Sequence, residues 1–466
     1  MKLKILILLL LVSVAYNQLI GQDSTSQGKE KIKTRVDKIV KDVFRQIENE
    51  LGADIYDNES ESEAEESEFT KEDEFDNYEK HNLYAFPRGK KIPRNNSAFF
   101  IAENLEDKFL FRYNRVEGLF LGLQSPHQYF WDHNRKFTIF GSIGYGFGVH
   151  RWEYKIGLAH QLIYNQNLFE AGIEAHNSVD SRDQWLVGNL ENSLSAMLFK
   201  YDYKDYFLRK GFSTWLSYNT RSEFADLQAK VAFNNDNFTS LQKEVNWSLF
   251  RSKRIFRENP EISEGHFKSI SLIFAIHKLD SKKMHLAGWS ATMSAEFAGK
   301  SLKGDYDFDR YLIDIRRYQP ISRYDNLNFR LRAATSQGHL PLQYKFELGG
   351  ISTLPAYSYK ELQGNRLLLA NIEYIVNGSM FSGETTFPLS LLDKFNLILF
   401  YDAGFIGNVY DNESFTSGFQ NFKFNSLKSD WGIGIGSADG KYRLSFAWKT
   451  DKKSTANVFL RISRPF

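Results

Sequence analysis

From residue 108 onward, apolar residues fall at every second position, and that rhythm excludes most folds for the larger part of the chain. Period two marks an extended strand whose side chains alternate between two faces. In 441–449, Tyr442, Leu444, Phe446 and Trp448 share one face, and Lys441, Arg443, Ser445 and Lys449 the other. In 325–333, Leu327, Phe329 and Leu331 oppose Asn326, Asn328, Arg330 and Arg332. In 287–297, Ala287, Trp289, Met293 and Phe297 oppose Ser290, Thr292, Ser294 and Glu296. A sheet with one apolar and one charged face has two homes. It forms a barrel with lipid outside and water inside, or half of a soluble sandwich.

Segments of this kind fall roughly at 109–124, 136–148, 151–163, 167–178, 208–219, 224–235, 243–254, 266–278, 284–297, 307–318, 323–336, 364–377, 393–405, 428–436, 441–449 and 456–466. They make sixteen, an even number, which brings both ends of a barrel to one side of a membrane. Parity then puts the turns Val149–His150 and 437–440 on the periplasmic side and the loop 337–363 outside. The stretch 179–207 also falls on the periplasmic side and breaks the pattern of short turns. It reads as a helix with Leu186, Leu190, Leu194, Met197 and Leu198 on one side. Such a helix either plugs the barrel or is an ordinary insertion.

The N-terminal part differs. Residues 1–22 read as a signal peptide: Lys2 and Lys4 precede an apolar core, Ile5 to Ala15, too short to span a bilayer. Residues 23–56 contain an amphipathic helix with Val36, Ile39, Val40, Val43, Phe44 and Ile47 at helical spacing. Residues 57–107 read as a linker that opens with a disordered acidic tract, since like charges repel and little apolar surface offsets chain entropy. The last segment places Val458, Leu460, Ile462 and Phe466 in alternation, like the sorting signal of an outer-membrane barrel, which the assembly machinery reads by edge pairing.

Several chemistries are absent from the sequence. There is no cysteine, so disulfides, thiolate metal sites and a Cys nucleophile are excluded. A net charge of +2 gives no pull toward nucleic acid. No phosphate-cradling loop, His-Glu-x-x-His or Gly-x-Ser-x-Gly occurs. Asp305, Asp307 and Asp309 alternate but lack the Gly and closing Glu of a calcium loop. The expectation is a protein that is not an enzyme, with no catalytic residues, metal or cofactor.

Residues 341–404 carry a resemblance. Gly349, Gly350, Leu354, Tyr357, Gly364, Asn365, Arg366, Asn371, Glu373 and Tyr374, followed by Phe400, Asp402 and Gly404, resemble the motifs of the BamA/TamA superfamily of outer-membrane barrels, the bacterial surface antigen proteins. The resemblance implies an all-β fold: a sixteen-stranded antiparallel transmembrane β-barrel over 108–466, preceded by a short, partly helical, partly disordered periplasmic segment. It also implies that the loop 337–363 folds back into the lumen, where the family's tip arginine meets the strand aspartate. Here Pro355 and Ala356 replace the tip Arg-Gly, while Asp402 remains. The partner expected for Asp402 is Arg366, although strand phase points Arg366 outward; Lys360 or simple hydration are the alternatives.

The function implied is insertion or translocation of proteins at the bacterial outer membrane. The partners implied are membrane lipid, the barrel assembly machinery and a periplasmic protein. A channel or plugged pore for small solutes, or a scaffold for a periplasmic partner, are the rival readings.

Overall fold

The computed structural model describes residues 108–127, 137–164, 167–222, 224–242, 245–250, 253–282, 285–381, 392–420, 422–437, 440, 442–451 and 455–462. The expected signal peptide, amphipathic helix and acidic linker lie outside the described residues, as does Phe466.

Among the described residues, sixteen antiparallel strands pair in chain order to make the barrel wall. They begin with β1 (Phe109–Asn114), β2 (Gly118–Ser125), β3 (Phe137–Gly146), β4 (Arg151–Tyr164), β5 (Asn167–Asp180), β6 (Phe207–Arg221), β7 (Asp226–Ser240) and β8 (Gly265–Lys282). They continue with β9 (His285–Ala298), β10 (Asp307–Pro320) and β11 (Asp325–His339). A separate hairpin, β12 (Phe346–Leu348) with β13 (Leu362–Gly364), interrupts the series. The wall resumes with β14 (Arg366–Asn377), β15 (Phe395–Gly407), β16 (Lys428–Ser437), β17 (Arg443–Lys449) and β18 (Asn457–Arg461). One helix, α1 (Asn189–Phe199), lies between β5 and β6.

Alternation decides the two faces. Along β15, Asn396, Ile398, Phe400 and Asp402 are buried inside, while Leu397, Leu399 and Tyr401 are exposed outside. Trp152 and Leu216 are 64 % and 65 % exposed. So much apolar surface turned outward, with charges buried within, suits lipid and not water.

The strand number agrees with the sequence reading, but two segments exchange roles. The stretch 109–124 is two strands, because Asn114 ends one ladder and Gly118, at φ 62°, turns the chain back. The expected strand 243–254 is not seen as one: its described parts, 245–250 and 253–254, have no ladder, and Val245 N–H donates to Arg115 O instead. Between these two places the parity is reversed. The turn at Val149–His150 and the stretch 179–207 therefore share the end of the loop 337–363, contrary to expectation. The four longest connections, 181–206, 241–264, 340–365 and 408–427, gather there, as long loops do at the extracellular end of an outer-membrane barrel.

Candidate functional site: the inward loop and the barrel seam

The loop after β11 turns into the lumen and packs an apolar hairpin on the inner wall. Leu348, Leu354, Ala356 and Tyr357 form one cluster with Leu367, Leu369, Phe400 and Phe459. Two glycines make the turn possible. Gly349 and Gly350 have φ of 110° and 100°, and a Cβ on Gly349 would lie 2.1 Å from Ser358 O. Gly404 on β15 makes room for the hairpin, since a Cβ there would lie 2.6 Å from Leu348 Cδ1.

The tip is held mainly through its own backbone. Arg330 Nη1 donates to Ser352 O at 3.4 Å, and Asn371 Nδ2 to Thr353 O at 3.0 Å. Ala356 N–H donates to Asp430 Oδ2 at 2.7 Å, and Asn457 Nδ2 to Pro355 O at 3.1 Å. Arg461 Nη1 donates to Ile351 O at 2.9 Å and to Ser352 Oγ at 3.0 Å. Walls β11, β14, β16 and β18 thus all grip one short tip.

Asp402 does not pair as expected. It is 5 % exposed, so free hydration in a wide lumen is overturned. Its Oδ1 accepts from Asn371 Nδ2 at 2.7 Å, the same amide nitrogen that reaches Thr353 O. One asparagine therefore links the β15 aspartate to the tip without an arginine. Asp402 also faces Asp430 across the ladder, and like charges directly opposite repel. Asp402→Asn keeps an acceptor for Asn371 and removes one of the facing charges. Protease resistance of the loop is expected to stay at the wild-type level or rise, as limited proteolysis of the folded barrel would read. A lock running on the charge of Asp402 would loosen instead.

Arg366 is corrected in the same way. It follows its strand phase outward, where it is 0 % exposed beneath the connection 408–427. It donates to Ser417 O at 2.7 Å, Ser414 O at 2.9 Å and Ser336 O at 2.6 Å. Glu373 points inward and pairs with Arg443, both buried. Tyr357 is buried with the hairpin, under the Lys449 ammonium at 4.0 Å from its ring.

Lys360, the other expected partner of Asp402, instead ties the loop to the 181–206 connection. Its ammonium lies 2.9 Å from Asp183, 2.8 Å from Asp205 and 2.7 Å from Glu347. Burial works against the charge on Lys360, but the three carboxylates together raise its pKa. One ammonium cannot offset all three. Asp205, also beside Arg257, is held down at about 2 against its burial. Glu347 is pushed up to about 8, first by burial, which together with the charges of Asp183 and Asp205 outweighs the pull of Lys360.

The sign follows from linkage. The docked loop keeps a proton on Glu347 that an undocked loop, at the ordinary 4.5, releases. Docking is thus favoured by this group below about 4.5 and loses that contribution as pH rises through about 8. Glu347→Gln is expected to flatten the rise in loop cleavage by protease between pH of about 5 and about 9.

At the same end lies the seam. Among the described residues no ladder joins β1 to β18. Helix α1 serves both edges. Ser193 Oγ accepts from Tyr113 N–H at 3.0 Å on β1. Glu191 Oε1 accepts from Arg461 Nε at 2.9 Å and from Ile462 N–H at 3.2 Å just past β18. The helix therefore docks by its polar face, Glu191, Asn192 and Ser193, and leaves Leu190 56 % exposed. The leucine stripe read from the sequence is not the face that meets these two edges, because edge amides need acceptors that leucines lack. Arg461 also donates to Leu186 O at 3.3 Å, so one guanidinium joins last strand, helix segment and loop tip.

A family model described as the Omp85 superfamily domain matches residues 164–463. The chain belongs to the Omp85 superfamily. This Omp85 protein is accordingly a barrel of the bacterial outer membrane. It is similar to the outer membrane protein assembly factor BamA of Nitratidesulfovibrio vulgaris, 24 % identical over 161 residues, which cover 30 % of this chain and 20 % of that one. The chain thus spans about a fifth of that relative's length. Among solved structures, CdiB from Acinetobacter baumannii aligns with a TM-score of 0.40 at 9 % identity, covering 75 % of this chain and 57 % of that one. CdiB from Escherichia coli aligns with a TM-score of 0.39 at 11 % identity, covering 75 % and 59 %.

Of the residues singled out in the sequence, the fold brings Gly349, Gly350, Leu354, Tyr357, Asp402 and Gly404 together, with Glu373 further along the inner face of β14. Arg366 lies on the opposite face of the same wall. Val458 points outward, with Leu460 and Ile462 half-buried in the same phase. Sequence reasoning missed Glu191, Ser193, Asp430 and Arg461 in this Omp85 site. Phase alone sets Arg461 and Asp430 inside, but charged inward residues are ordinary in a lumen, so no signal distinguished them.

Proposed function

We propose that the protein inserts proteins into the outer membrane or translocates them across it. The observation that carries the reading is the family match over residues 164–463, most of the barrel. Superfamily membership, with a BamA relative, supports the coarse function; the client and the periplasmic partner are left to experiment. No catalytic step is assigned, since family members act as transporters and assembly factors. The inward loop supports the reading: its tip meets four wall strands through hydrogen bonds it can surrender and remake as the wall moves. The seam supports it too, because among the described residues α1 contacts stand where a ladder between β1 and β18 would be.

Removing the gene is expected to deplete a defined set of outer-membrane proteins, measured by quantitative proteomics of the membrane fraction. An unchanged membrane proteome would reject the proposal. The plugged-pore reading rests on the same docked loop. Planar-bilayer conductance that rises on deletion of 340–365, with the membrane proteome intact, would favour that reading instead.

A further inference from the structure

The outer wall carries a second feature, on the face away from the lumen. Cross-strand register lines up two neighbouring outward rows over β11, β10, β9, β8 and β7. One row runs Ala333, Ile313, Met293, Phe274 and Ala229. The other runs Thr335, Tyr311, Ala295, Leu272 and Val231. Alanine stands at both ends of the first row and in the middle of the second, so the wall dips between larger side chains. The dip is an apolar cavity of about 520 Å³.

One side of it is overhung. The connection 408–427 folds back over the outside of the barrel and brings Phe419 to the cavity. This strap is fastened. Arg366 holds the carbonyls of Ser414 and Ser417. Thr335 Oγ1 donates to Phe415 O at 2.8 Å, and the Phe415 ring stands edge-on to Tyr311 with centroids 4.9 Å apart. Gly338 N–H donates to Asp411 O at 2.8 Å. A loop that reached only into water would have no reason to bury an arginine against a lipid-facing wall.

We propose that this groove holds one acyl chain of a bilayer phospholipid. The barrel stands in the outer membrane, so lipid is what meets its outer wall. The lining is almost wholly apolar, which suits a hydrocarbon chain and gives a charged headgroup nothing to bind. The fastened strap turns a shallow dip into a slot, so the chain in it exchanges more slowly than the lipid around the rest of the wall.

The test measures retained lipid. The full chain is purified in dodecyl maltoside micelles doped with phosphatidylethanolamine, and bound lipid is counted by native mass spectrometry. One phospholipid is expected on the wild type. Ala295→Trp and Ala333→Trp fill the dip from outside and are expected to weaken retention about tenfold, the effect of displacing about two methylenes. Phe419→Ala removes the overhang without filling the dip and is expected to weaken it in the same direction. Ile156→Trp, on the exposed face of β4, is the control and keeps the lipid. Heat-modifiable migration on a gel identifies variants that have folded. Retention unchanged in the folded groove variants overturns the proposal. So does a wild type that holds no lipid, a charged glycolipid in its place, or a second copy of the chain.

Discussion

Arg461→Ala is expected to release the loop tip and helix α1 together. The guanidinium is buried and reaches Glu191, Ile351 O, Ser352 Oγ and Leu186 O. Its removal leaves Glu191 buried without its cation, a loss of about 3–5 kcal/mol for a buried pair broken from one side. Both 340–365 and 181–206 should become protease-sensitive in the folded barrel, and single-channel conductance should rise. Glu191→Gln keeps an acceptor for Ile462 N–H and removes only the charge, so its effect should be smaller and confined to the helix. Equal and small effects of both variants on cleavage and conductance would show that the two elements are held independently.

Arg366→Ala is expected to act on the opposite side of the same wall. Arg366 makes charge-assisted hydrogen bonds to Ser414 O, Ser417 O and Ser336 O. Hydrogen bonds to charged groups contribute about 1.5–3 kcal/mol each, and such contributions do not simply add, so a total loss of about 3–5 kcal/mol follows. The strap 408–427 should become the cleavage site, while 340–365 stays as resistant as in the wild type. Hydrogen exchange of strap amides, read by mass spectrometry, separates this from a general loss of stability. Cleavage of the inward loop in Arg366→Ala would restore the lock that the sequence suggested.

The barrel was legible because its physics is repetitive. Each strand needs only alternation, and β15 shows residue by residue the two faces that the sequence implies. The places that misled were those where alternation is cheap to imitate. Residues 109–124 alternate straight through a turn, since the five residues from Asn114 to Gly118 interrupt an apolar face without breaking it. Residues 243–254 look strand-like, yet the described 245–250 lie beside α1 and the β1 turn, with Leu249 N–H on Met197 O. Of the site, the apolar and glycine residues could be read, because a turn and a close approach demand particular residue types. The polar contacts could not. Asp402 was expected to need a cation, but an asparagine on the adjacent strand satisfies it at 2.7 Å. That choice depends on register between strands, which the sequence of one strand does not state.

The grip on the loop tip has an evolutionary corollary. Four of its five anchors touch the tip only at backbone N–H or C=O groups, and Arg461 adds just one side-chain oxygen, Ser352 Oγ. Every residue type supplies those carbonyls, and all but proline supply the amide. The polar instructions for docking are therefore written in the wall, at Arg330, Asn371, Asp430, Asn457 and Arg461, while the tip need keep only the apolar side chains that pack there, Leu354, Ala356 and Tyr357. A tip transplanted from another barrel should seat here if it keeps the length, the two glycines and the apolar residues at 354, 356 and 357, and the same tip placed in a barrel without those five wall residues should not.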